Sequence, residues 1–104
     1  MSKKSPGRNP DADLLLLIDR HRRLWGEWDR LHHVDEDHPE IERIWYQVLD
    51  AARAVVLTPA FTAAGLDGKR EVVRLNEMDT GDVHGLVAFA LHMDEHRLAA
   101  ATAA

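Results

Sequence analysis

The 104-residue chain has no cysteine, which excludes both a disulfide scaffold and a thiolate metal site. Aromatic residues make up 6% of it, half of them tryptophan. Long apolar runs are missing too. The longest bulky one, Leu14-Leu15-Leu16-Leu17-Ile18, is bracketed by Asp13 and Asp19, and a bilayer-spanning helix needs about 20 apolar residues. The N-terminus lacks the layout of a signal peptide, so a cytoplasmic location and no membrane partner are expected. Strand-like alternation and internal repeats are absent. So are a Gly-rich phosphate loop, a dinucleotide fingerprint and any Ser-His-Asp context. Nothing points to a cofactor, a catalytic residue or a small-molecule ligand, and the expected protein is not an enzyme.

Charge is plentiful, and its distribution says more than its sum of −5. Residues 1–10 carry Lys3, Lys4 and Arg8 and no acid. Residues 11–57 set six Arg against eleven acids, and residues 58–104 set four basic residues against seven acids. A duplex-binding domain normally presents a basic face, so nucleic acid is an improbable partner. Arg20, Arg22, Arg23 and Arg30 are interleaved with Asp19, Glu27 and Asp29, the pattern of a salt-bridged outer face rather than a phosphate site.

The apolar spacing predicts an all-α chain in one domain. Residues 1–9 read as a disordered basic tail, polar and carrying Pro and Gly. Asn9-Pro10-Asp11-Ala12-Asp13 then starts a helix, with Asn9 as the cap and two acids at the positive end of the dipole. Apolar residues at 14, 17, 18, 24, 25, 28 and 31 place this first helix over about 10–32, with His21 inside the stripe. Asp37-His38-Pro39-Glu40 reads as a capping box. It opens a second helix, over about 38–57, with Ile41, Ile44, Trp45, Val48, Ala52 and Val55 on one face. A third helix is expected over 62–78, weakened by Gly65 and Gly68, and a fourth over 83–98, with 99–104 a frayed tail. The short connection makes the first two helices an antiparallel hairpin. Facing residues then sum to about 72, which sets Trp28 on Trp45, Leu24 on Val48 and His21 on the small Ala51 and Ala52.

The hairpin has two unlike ends. Leu14, Leu15, Leu16, Leu17 and Ile18 sweep a full turn with apolar side chains, and Val55, Val56 and Leu57 lie beside them at the open end. A helix apolar on all sides must be buried on more than one side. Helices three and four, a second copy of the chain, or both are expected to cover this end, and these eight residues are the candidate interaction surface.

Thr58, Pro59, Thr62, Gly65, Leu66 and Lys69 match a TPxxTxxGLxxK segment. In this the chain resembles small helical proteins of proteobacteria, in which a helix pair precedes the segment and a short helical tail follows it. Gly68 stands where those proteins would have alanine. The resemblance implies a fold and a bacterial source and carries no activity. In physical terms the segment is a corner: Thr58-Pro59 stops one helix, Thr62 starts the next, and Gly65 permits close approach. Leu66 plugs the corner, and Lys69 lies near the carbonyls that end the second helix.

Histidine is over-represented, at positions 21, 32, 33, 38, 84, 92 and 96. His92 and His96 are one turn apart and are the candidate metal ligands, although the segment His-Met-Asp-Glu-His lacks the glutamate of H-E-x-x-H. Asp29-x-x-His32 and Asp35-x-x-His38 resemble half of a di-iron site, without the inward Glu-x-x-His pairs such a site requires. Capping and surface roles account for these histidines better. The leading expectation is a non-enzymatic interaction or accessory protein that self-associates or binds another protein. The alternatives are a histidine metal-binding protein and a DNA-associated regulator using residues 62–98.

Overall fold

The computed structural model describes residues 9–82 and 84–103. The predicted disordered tail therefore lies, Asn9 apart, outside the described residues, as does the predicted first residue of the fourth helix, Val83. Among the described residues there are four helices and no strand: α1 (Ala12–Val34), α2 (Ile41–Leu57), α3 (Ala63–Leu75) and α4 (Leu86–Ala103). None is long and apolar enough to cross a membrane.

Each helix end has a chemical cause, and several differ from the sequence expectation. Asn9 does not cap α1 by its side chain reaching into the helix. Its Oδ1 accepts the Asp11 N–H in a tight turn (2.8 Å), and Asp11, at the N-cap position, makes no side-chain cap bond. The Asp37–Glu40 capping box does not form either. His38 Nδ1 accepts the Glu40 N–H (3.0 Å) that Asp37 would have taken, so Pro39 and Glu40 stay in a turn and α2 begins at Ile41. Thr62 caps α3 as expected, its hydroxyl accepting the Gly65 N–H (3.0 Å).

α3 stops at Leu75, three residues short of expectation. Met78 N–H bonds to Val73 O and Glu77 N–H to Arg74 O, with Glu77 in the left-handed region at φ 50°. This is a Schellman-type end, built on a residue where glycine is usual. Asp82 accepts the N–H groups of Val87 and Ala88 (3.1 and 3.0 Å), and Gly85 has φ 67°, so α4 cannot begin before Leu86. The alanine-rich segment after Leu98, expected to fray, continues the helix to Ala103, in keeping with alanine's top helix propensity.

α1 and α2 meet at both ends. Near residues 35–40, Trp45 packs against Trp28 and Trp25, with ring centroids 5.0 and 6.2 Å apart. At the other end Leu14 and Ile18 share one buried cluster with Ala52, Val55, Ala60, Leu66 and Val72, and Leu15, Leu17, Met78, Leu91 and Leu98 pack around it. The core therefore draws on all four helices and on the α2–α3 connection. Each fully buried Leu, Ile or Val contributes roughly 1.5–3 kcal/mol of transfer free energy.

Candidate functional site

Residues 58–62 carry no helix of their own, so their backbone polar groups need partners from elsewhere. Two buried carboxylates supply them, one from the head of α1 and one from the middle of α4. Asp11 is 1% exposed. Its Oδ1 accepts the Phe61 N–H (2.8 Å), and its Oδ2 accepts both the N–H and the hydroxyl of Thr62 (2.9 and 2.5 Å). Asp94 accepts the Ala60 N–H (3.1 Å), the Lys69 ammonium (2.5 Å) and the Arg97 guanidinium (2.8 Å). Lys69 also donates to Thr58 O (2.8 Å), and Arg97 donates to Ala60 O (3.0 Å) while lying over the Phe61 ring.

Lys69 and Asp94 are 1% and 2% exposed. A buried ion pair endures only when its remaining hydrogen-bonding capacity is met, and this one is surrounded by acceptors and donors of the corner. Burial pushes the Asp94 carboxyl up. The Lys69 ammonium, the Ala60 N–H and Arg97 more than reverse that, so its pKa lies below the ordinary carboxylate value. The chemistry of this cluster is positional: it fastens α1, α3 and α4 to a connection that forms no helix.

Lys69 lies against the last carbonyls of α2, as its spacing suggested, but its pairing with Asp94 was not visible in the sequence. The spacing places Asp94 among the histidines of α4 and Asp11 among the acids that start α1, and neither position announces a tertiary partner. One signal was available. Val87, Leu91, Asp94 and Leu98 recur on one face of α4, so Asp94 is a polar residue inside an apolar stripe, as His21 is on α1.

His21 is 1% exposed and lies 2.6 Å by Nε2 from the Asn76 amide nitrogen. Its partner is thus the end of α3 rather than α2, whose alanines leave it room. Burial lowers its pKa, the Asn76 contact raises it in part, and Arg22 lowers it further.

The eight candidate interaction residues divide sharply. Leu14, Ile18, Val55 and Val56 are buried, and Leu15 and Leu17 are half-buried against the core. Only Leu16 (68%) and Leu57 (81%) remain exposed. Leu57 is not isolated. It borders a shallow depression with Pro59, Ala90 and Met93, and Phe61, Leu86 and Phe89 are also exposed. Leu86, Phe89 and Met93 follow helical spacing along α4. Residues 86–91 are apolar almost all round, so the sequence does not show which side of this run faces the core.

His92 and His96 are both exposed on α4. Among the described residues, no group of three His, Cys, Asp or Glu side chains is placed to hold a metal ion. His33 donates from Nδ1 to Asp29 O (2.8 Å) and, like His38, serves a helix end. The chain matches no family model, no curated protein and no solved structure.

Proposed function

We propose that the chain is a non-enzymatic interaction or accessory protein. In this reading α1 and α2 form an antiparallel hairpin, α3 and α4 close its open end, and the outer side of α4 with the end of α2 is the binding surface. One observation carries it: Leu57, at the end of α2, and Leu86 and Phe89, along α4, are 81%, 66% and 61% exposed. Phe61 and Met93 extend the same flank. Exposed apolar groups scattered singly need no explanation, whereas the largest contiguous apolar patch of a chain is often its functional surface.

The polar cluster supports the same reading. By anchoring α3 and α4 through Asp11, Lys69 and Asp94, it holds α4 in place without using that helix's outer face. A photo-crosslinking side chain placed at position 89 in living cells tests the proposal, with position 36 in the α1–α2 connection as the control. A discrete crosslinked protein band at 89 and none at 36 is expected. No protein adduct at 89 above the control contradicts the reading.

A further inference from the structure

α4 is apolar nearly all round over Leu86–Leu91, and it uses one face for its own core. Leu91, Asp94 and Leu98 point inward, leaving Leu86, Phe89 and Met93 at 66%, 61% and 39% exposure on the adjoining face. We propose that this face is covered by a second copy of the chain, docked α4 against α4 in antiparallel order about a two-fold axis between Phe89 and Ala90. The inference rests on the interaction-protein reading above and adds the partner and the register.

Area is the first argument. Large apolar side chains bury roughly 150–250 Å² each when aromatic, so the exposed parts of Leu57, Phe61, Leu86, Phe89 and Met93 amount to on the order of 500 Å². That equals the largest patch of an ordinary monomer, about 300–600 Å². Two such patches laid together bury on the order of 1,000 Å², the lower limit for a specific interface. A self-complementary patch of this size needs no additional surface to form a modest dimer.

Register is the second argument. A two-fold between positions 89 and 90 sets Leu86 against Met93 and the large Phe89 against the small Ala90, so the side chains interdigitate. At the margins it sets Asp82 of each copy towards Arg97 of the other, acid against base at each end. Parallel pairing of the same helices would instead bring Asp82 to Asp82 and Arg97 to Arg97, like charge on like charge, which is destabilising. Antiparallel order also sets the two helix dipoles head to tail. Charge complementarity along α4 thus selects one orientation.

Sedimentation equilibrium of the full chain, from low to several hundred micromolar, tests the partner. A reversible monomer–dimer equilibrium is expected, and F89E should weaken it at least tenfold with helix content unchanged, since Phe89 is largely outside the core. A single species of 11.8 kDa throughout the range overturns the proposal, as does F89E dimerising like the parent. The cysteine-free chain gives a direct test of register. On mild oxidation a variant carrying both L86C and M93C should form a disulfide from position 86 of one copy to position 93 of the other. Links of 86 to 86 and 93 to 93 overturn the antiparallel order. A monomer whose position 89 crosslinks to a different protein overturns this inference alone, while one with no crosslink overturns the interaction reading as well.

Discussion

Asp11, at the head of α1, holds Thr62, at the head of α3, by two hydrogen bonds to a single carboxylate oxygen, one from the backbone N–H and one from the hydroxyl. The same hydroxyl oxygen accepts the Gly65 N–H, so the tertiary contact and the helix cap are one structure. A Cβ built on Gly65 would overlap the Asp11 carboxylate, and that carboxylate is pinned by its three donors. G65A should therefore destabilise the protein by about 2 kcal/mol or more, near the value of hydrogen bonds to a charged group. D11A should have a similar effect. On the D11A background the added methyl has no carboxylate to displace, and the second substitution should be nearly neutral. Urea denaturation of all four proteins in a double-mutant cycle measures this coupling; additive losses would contradict it.

Lys69 and Asp94 make a second such pair. K69M leaves the Asp94 carboxylate with Arg97 and one N–H, and D94L leaves the ammonium with Thr58 O alone. Each should cost about 3–5 kcal/mol, the range for breaking one side of a buried pair. The K69M/D94L double variant should lose well under the sum of the two, because neither charge is then stranded. Equilibrium unfolding gives all three values.

Stability should fall on mild acidification, through His21. Its pKa is lowered in the folded chain by burial, whereas the unfolded imidazole titrates near its ordinary value of about 6.5. Between the two values the unfolded state binds more protons, so unfolding free energy rises with pH across that window and is fully present above about pH 6.5. Unfolding measured at about pH 5 and about pH 7.5 should show a clear loss at the lower pH. In H21Q, which has no proton to take up, that loss should shrink. An unchanged pH dependence in H21Q would assign the effect elsewhere.

Glu77 closes α3 in the left-handed region, where a side chain is strained by roughly 1–2 kcal/mol. E77G should relieve that strain and stabilise by about 0.5–1 kcal/mol, after the greater entropy of glycine in the unfolded chain is set against it. The urea midpoint should rise with an unchanged slope.

Helix existence was legible in the sequence because three-and-four spacing is strong over Leu14–Leu31 and Ile41–Val55, and helix ends were less so. The α2 start moved to Ile41 because an imidazole took the amide assigned to Asp37. The α3 end moved to Leu75 because Glu77 occupies a conformation that no sequence rule assigns to glutamate. In the sequence Gly65 suggests close approach of two backbones, but its neighbour is the Asp11 carboxylate. That contact spans more than fifty positions of sequence and leaves no periodic trace. Gly68, read as a weak point in α3, faces Ile18, whose Cδ1 is 2.6 Å from where a Cβ would stand. A methyl there would oblige the end of the Ile18 side chain to shift. The apolar flank of α4 was hidden for a simpler reason: a helix apolar on every side does not reveal which side its own core will take.

The central claim is that two buried carboxylates hold the helix-free corner at 58–62 and thereby fix α3 and α4. Amide hydrogen exchange of Ala60, Phe61 and Thr62 tests it most directly. These three N–H groups lie outside any helix, yet each donates to Asp94 or Asp11. They should exchange as slowly as the core amides of α2, and D11N should release Phe61 and Thr62 while leaving Ala60 more protected. Rapid exchange of all three in the unsubstituted protein, at the rate of an open loop, would contradict the account.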